Sequence, residues 1–250
     1  MALAIAWGTF AACSSFDSAE PSSPEDGGTV DAADGALVVD AGTDVEAGRF
    51  CESLTTKPTL CVDFDEGDPV DFGFEAKTGD VSVDLALSKS PPASMRVAGR
   101  SFVERYFPGD SQSLTLSFQV WVGGLDGGPP LNEFGIVGRI IAGSKECSFD
   151  IAAAQRDLEI QVVGDDGGRS DERHALVRYP VAGEWKDVTM RLIDDDAGVT
   201  ARVDIAGGPA LDEVRTTCPD LKVGAHVDVG LLYEPEASEV RIDNVVFNRN

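Results

Sequence analysis

The stretch SLTLSFQVWV, residues 113–122, alternates without a break. Leu114, Leu116, Phe118, Val120 and Val122 fall on one side, and Ser113, Thr115, Ser117, Gln119 and Trp121 on the other. A period of two places successive side chains on opposite faces of an extended chain, so this stretch predicts a strand with one face buried and one polar. The same pattern recurs outward from it. DLEIQVV (157–163), WKDVTMRLI (185–193) and GVTARVDIAG (198–207) alternate likewise, and DDDAG between the last two has the composition of a hairpin turn. Further strands are expected in LCVDFD (60–65), VSVDLAL (81–87), GIVGRIIAG (135–143), CSFDIAAA (147–154), ALVRYPV (175–181), HVDVGLLY (226–233) and VRIDNVVF (240–247). No long segment of helical period competes with them. About a dozen strands and no helix predict an all-β, two-sheet antiparallel sandwich over residues 50–250.

The preceding residues are of another kind. Residues 1–12, MALAIAWGTFAA, are an uncharged apolar run, too short for the ~20 residues that a helix needs to span a bilayer. A run of this length ending in small residues fits the hydrophobic region of a signal peptide. Phe10, Ala11, Ala12 and Cys13 resemble a bacterial lipobox, with Phe10 where Leu is usual. That resemblance implies lipid attachment at Cys13. Residues 14–48 hold Ser, Asp, Ala, Gly, Glu and Pro in excess, and up to residue 48 there are nine acidic side chains and no basic one. Such a segment buries too little apolar surface to offset its ordering entropy, so residues 13–49 are expected to be a disordered acidic tether. A flexible chain of that length reaches roughly 30–36 Å. Two or more acyl chains anchor stably where one does not, so the expected location is the bacterial cell envelope. Ser14, rather than Asp, after the cysteine points to the outer membrane under the best-known sorting rule for lipoproteins.

Five cysteines stand at 13, 51, 61, 147 and 218. With Cys13 lipidated, Cys51, Cys61, Cys147 and Cys218 form an even set in an exported chain, where disulfides persist. Three connectivities are open, and Cys51 with Cys61 and Cys147 with Cys218 is the favoured one. No CxxC pair exists to hold a structural zinc, and the chain has only two histidines, His174 and His226. The net charge is −24, of which −15 belongs to the residues after 48. Phosphate contact needs basic patches, so this charge argues against nucleic acid and anionic headgroups as partners and serves first of all solubility.

Several segments together resemble the concanavalin A-like lectin/glucanase superfamily, and within it the laminin G-like domains of bacterial surface lipoproteins. They are FCESL…LCVDFDEG at 50–67, SLTLSFQVWV, the W-x-x-V-x-x-x-L strand opening at Trp185, the hairpin leading to VDIAGG, and the closing VRIDNVVF. The resemblance implies a jelly roll whose concave sheet often binds the ligand, with a glycan or an envelope protein as partner.

Catalysis is not expected from the motifs. The laminarinase-like members carry E-x-D-x-x-E or E-x-D-x-E on one strand, and neither string occurs here. The nearest approach is DLEIQ, which puts Asp157, Glu159 and Gln161 in a row on one face. No lyase signature with a catalytic histidine is recognisable either. A glycan-cleaving enzyme is therefore the second reading and a structural envelope component the third. For binding, Trp121 stands beside Gln119 on the polar face of its strand, where an indole can stack on a sugar. Trp185, opening a strand after AGE, reads as an edge residue. The one cofactor considered is structural calcium, held by Asp63, Asp65 and Glu66 of VDFDEG with Asp243 of the last strand. There the alternation slips between Ile242 and Val245, the mark of a bulge.

Overall fold

The computed structural model describes residues 50–250 except 66, 125–135, 153–156, 164–167, 178–182 and 233–237. Cys13 and the expected tether thus lie outside the described residues. Among the described residues two four-residue helices and thirteen strands follow one another: α1 (Phe50–Ser53), β1 (Leu60–Val62), α2 (Pro69–Phe72), β2 (Ala76–Asp84), β3 (Ser94–Phe107), β4 (Ser113–Gly124), β5 (Ile136–Ala142), β6 (Cys147–Ala152), β7 (Asp157–Val163), β8 (Arg169–Ala175), β9 (Trp185–Asp195), β10 (Gly198–Ile205), β11 (Gly208–Arg215), β12 (Ala225–Leu231) and β13 (Ser238–Arg249). Among the described residues no helix is long and apolar enough to cross a membrane.

All strand pairs are antiparallel, in the order β11-β10-β9-β4-β13-β3-β12-β5-β6-β7-β8, with β1 on β13 and β2 on β3. This ribbon doubles back on itself at β3. Residues 95–98 of β3 pair with β13, and residues 101–107 pair with β12. The first sheet is therefore β11-β10-β9-β4-β13-β3, and the second is β3-β12-β5-β6-β7-β8. Their inner faces share one hydrophobic core. Phe118 of β4 reaches across it to Gly138 of β5, and the rings of Phe107 and Phe247 meet with centroids 4.6 Å apart.

The corner in β3 depends on small residues. Gly99 has φ +60, and opposite it Gly79 has φ +78 at a register shift in the β2–β3 pairing. The Ser101 hydroxyl donates to the Ala98 carbonyl at 2.7 Å and accepts from the Asp80 N–H at 2.7 Å. A Cβ on Gly79 would lie 2.1 Å from that hydroxyl oxygen, so only glycine fits.

The alternation of residues 113–122 holds as read: its apolar side is buried and its polar side partly exposed. The 185–207 region forms the expected hairpin, β9 pairing with β10, and the Asp195 carboxylate accepts from the Ala197 N–H at 2.8 Å in the turn. The expected bulge in the last strand is present. The β13–β4 register shifts between Asp243 and Val246, with Asn244 at φ +51. Both favoured disulfides form, Cys51–Cys61 and Cys147–Cys218, the second tying β6 to the chain after β11.

Three expectations need correcting. The strand expected at 175–181 lies at Arg169–Ala175 instead, and residues 178–181 are outside the described set. RSDERHA carries little apolar signal because β8 is an edge strand that exposes most of itself. The strand expected at 81–87 runs from Ala76 to Asp84, its first half being polar and exposed. Strands β3 and β11 were not anticipated, nor were the two short helices. β3 escapes notice because its alternation is interrupted by Gly99 and Ser101, both required by the corner, and by Arg105, whose guanidinium donates to the Gly73 carbonyl.

Gly138→Val should force the new side chain onto Phe118 and cost about 1–3 kcal/mol by overpacking. Urea unfolding of the variant checks this; an unchanged midpoint would mean that the two sheets do not meet there.

Candidate functional site

Of the residues singled out for ligand binding, Trp121 and Gln119 fall on one outer face and Glu159 and Gln161 on another. Trp121 and Gln119 lie on the first sheet, in register with Trp185 and Asp187 of β9 and with Arg241 and Asp243 of β13. Polar groups on this face largely satisfy one another. Gln119 donates to Asp187 at 2.7 Å and accepts from the Asn244 amide at 2.6 Å. Arg96 pairs with Glu239 at 2.8 Å, and Arg241 pairs with Asp84 at 2.6 Å and with Glu239. The Arg241 guanidinium sits 4.9 Å over the Trp121 ring, and the same ring covers Gly123, where a Cβ would meet it at 2.1 Å. Trp121 is thus packed rather than presented. Among the described residues, Trp185 Nε1 is a buried atom of this face without a hydrogen bond.

The three aspartates considered for calcium are each held by separate backbone donors. Asp63 accepts from Cys51 N–H at 3.3 Å and Asp65 from Ala93 N–H at 3.0 Å. Asp243 accepts from the N–H groups of Lys89 (3.0 Å), Ser90 (2.8 Å) and Asn244 (2.8 Å) and from the Ser90 hydroxyl (3.1 Å). Glu66 lies outside the described residues. Among the described residues, the group whose ligand atoms do converge is another one, Glu104, His226 and Asp228.

That group sits on the outer face of the second sheet, where strand register assembles two rows. Arg173, Glu159, Asp150, Arg139, Asp228 and Glu104 are successive partners across β8, β7, β6, β5, β12 and β3. Two residues along, Gln161, Ser148, Ile141, His226 and Tyr106 form the parallel row. Glu159 and Gln161 of DLEIQ therefore belong here, at the β7 end, with Gln161 donating to Glu159 at 3.2 Å. Asp157 belongs to β7 by its backbone, and its side chain is outside the described set.

An outer face is normally wet, yet here Asp150 is 0%, Asp228 4% and Ser148 9% exposed. Such values mark a recessed surface. Asp150 is fully served, accepting from Arg139 Nε at 2.6 Å, from Arg139 Nη2 at 3.1 Å and from the Ser148 hydroxyl at 2.8 Å. Asp228 is not. Its Oδ1 makes no hydrogen bond, although His226 Nδ1 lies 3.3 Å away off the bonding direction, and Arg139 Nη1 stands 3.9 Å from Oδ2. Burial pushes the Asp228 carboxyl up to about 6, with His226 and Arg139 opposing the rise and Glu104 and Asp150 adding to it. His226 Nε2 meets Glu104 at 3.4 Å, so the imidazole bridges two carboxylates. A cavity of about 360 Å³ opens beside it, lined by Tyr106, Ile141, Gly143, Glu146, Val223 and His226. The Tyr106 hydroxyl donates to the Val223 carbonyl at 2.9 Å, and the residue stays 46% exposed.

Glu104, Tyr106, Arg139, Asp150, His226 and Asp228 were not singled out from the sequence. Alternation in HVDVGLLY does put His226 and Asp228 on one polar side, which was the available signal. Glu104 and Tyr106 had none, because β3 itself was not recognised.

No protein-family model matches the chain, and no curated protein matches it. Among solved structures it is similar to the endo-β-1,4-glucuronan lyase of the fungus Trichoderma reesei, at 15% identity and TM-score 0.57, over 77% of this chain and 96% of the lyase. It is also similar to the botulinum neurotoxin serotype G binding domain (10% identity, TM-score 0.51) and to the binding domain of Paraclostridial Mosquitocidal Protein 1 (11%, 0.51). The match covers 77% of this chain and about half of each toxin domain, 48% and 49%. At such identities the likeness establishes the β-sandwich fold, which serves an enzyme in one case and binding domains in the others.

Burial raises Asp243 from 3.8 to about 6 against the pull of its four donors. The folded state then holds this proton more tightly than the unfolded chain. Its contribution to stability is complete below about pH 4 and is lost as pH rises through about 6, roughly 3 kcal/mol at most. Urea titrations at pH 4 to 7 should show Asp243→Asn removing that slope. A parent whose stability advantage over the variant instead grows with pH would show the carboxylate to be the form the four donors stabilise.

Proposed function

We propose that this domain is a glycan-binding module of the cell envelope, tethered by a lipid on Cys13, and that its ligand lies on the recessed outer face of the second sheet. One observation carries the choice of face. Polar side chains from six strands line up there, with Asp150, Asp228 and Ser148 almost removed from water, whereas the first sheet's outer face closes on itself. Rows of fixed donors and acceptors suit the hydroxyls of a sugar, and the exposed Tyr106 ring supplies an amphipathic platform at the rim. The domain's acidity disfavours polyanionic chains, so the expected ligand is a neutral glycan.

On an array of neutral and acidic glycans, the full chain should be retained by neutral ones. Tyr106→Ala should weaken retention at least ten-fold, and Trp121→Ala less than two-fold. No retention anywhere, or the reverse order of the two variants, would contradict this reading. For the anchor, mass spectrometry of the protein from its native cells should find an N-terminus beginning at acylated Cys13.

A second reading, glycan cleavage on the same face, has one specific observation in its favour. Carboxylate oxygens of Glu104 and Asp228 lie within 4.8 Å of each other, near the roughly 5–5.5 Å carboxyl separation that retaining glycosidases use. Release of reducing ends from polysaccharides, lost at least a hundred-fold in Glu104→Gln, would establish it. Absence of product from a broad polysaccharide panel would leave binding alone.

A further inference from the structure

We propose that Glu104, His226 and Asp228 form a site for one divalent transition-metal ion of the zinc type, with an open coordination position toward the cavity beside Tyr106. The ligands come from a rigid frame. Glu104 of β3 and Asp228 of β12 are direct register partners, and His226 is two residues from Asp228 on the same face. One ligand atom from each lies within 4.8 Å of the others.

The donors are a nitrogen and two carboxylate oxygens, the kind of set zinc accepts, whereas calcium asks for six to eight oxygens. Bonds of about 2.0–2.2 Å place neighbouring ligand atoms roughly 3.3 Å apart in a tetrahedral site. His226 Nδ1 already stands 3.3 Å from Asp228 Oδ1, while the other ring nitrogen, Nε2, is the one 3.4 Å from Glu104. The ion would take one of these nitrogens, and Glu104, with 32% of its side chain exposed, has the rotamer freedom to close on it.

A separate observation points to a missing partner. Asp228 Oδ1 is a buried carboxylate oxygen, in a residue only 4% exposed, that makes no hydrogen bond and borders this cluster. Buried polar atoms are rarely left so, and an ion would complete it. Arg139, gripped at two points by Asp150 and 3.9 Å from Asp228 Oδ2, orients the ligand carboxylate from behind, as outer-shell partners do in metal sites. Three protein ligands leave a fourth position open. Only the role of that position rests on the glycan reading, in which it would accept a sugar oxygen.

The test is calorimetric titration of the full chain, stripped of metal, with zinc chloride and with calcium chloride. One zinc per chain should bind, with calcium at least ten-fold weaker and the melting temperature raised by zinc. His226→Gln and Glu104→Gln should each weaken zinc at least ten-fold while melting, without metal, within a few degrees of the parent. Both positions are partly exposed, so these variants keep the test clear of the buried Asp228. No saturable zinc binding, or binding equal to the parent in both variants, would overturn the site. Zinc bound with no glycan retained would remove the glycan reading alone. Glycan retained alike with and without chelator, with no zinc bound, would remove the metal site alone.

Discussion

A single bent strand holds the molecule together. β3 belongs to both sheets, and the bend is made possible by Gly79, Gly99 and the Ser101 hydroxyl that bridges Ala98 and Asp80 across it. Before the bend the strand meets β13, and after it the strand meets β12. The inward residues on either side, Met95 and Val97 and then Val103 and Phe107, consequently enter one common core. The outward residues are divided between two faces, Arg96 on the first sheet and Glu104 and Tyr106 on the second. A side chain on Gly79 would strike the Ser101 hydroxyl, and with it the placement of Glu104 opposite Asp228.

The two outer faces show how polar groups near a protein surface can be resolved in different ways. On the first sheet Arg96, Glu239, Arg241 and Asp84 neutralise one another, and Arg241 covers Trp121. On the second, Asp150 is served by Arg139 and Ser148, but Asp228 shares only the remote side of Arg139 and an imidazole in poor alignment. A buried polar atom left without a hydrogen bond costs on the order of 1–3 kcal/mol. A fold bears such a cost most readily where a ligand relieves it. The recess, the bridging histidine and the adjoining cavity coincide at that position.

Much of the fold was legible because it rests on local patterns. Period-two runs such as 113–122 and 157–163, the DDDAG turn and the slip after Ile242 each report on their own few residues. That Cys51, Cys61, Cys147 and Cys218 pair among themselves followed from cysteine parity once Cys13 was set aside, while parity left three connectivities open. β8 and β3 were illegible for opposite reasons: β8 is an edge with hardly any buried side, while the alternation of β3 is broken by Gly99, Ser101 and Arg105. The site was harder still. Glu159 and Gln161 could be seen as one face of one strand, but their neighbours on that face, from Asp150 to Asp228, lie 9 to 69 positions away in the chain and meet them only by virtue of register. Glu104 and Asp228 face each other across a strand pair that no local pattern specifies.

In the proposed function the ligand sits on the second sheet's outer face, not the first's. The direct measurement is amide chemical-shift mapping of the isotope-labelled chain with a glycan that it retains. The account predicts perturbations at Tyr106, Arg139, Ser148, His226 and Asp228. Perturbations gathered instead at Gln119, Trp121, Asp187 and Arg241 would contradict it.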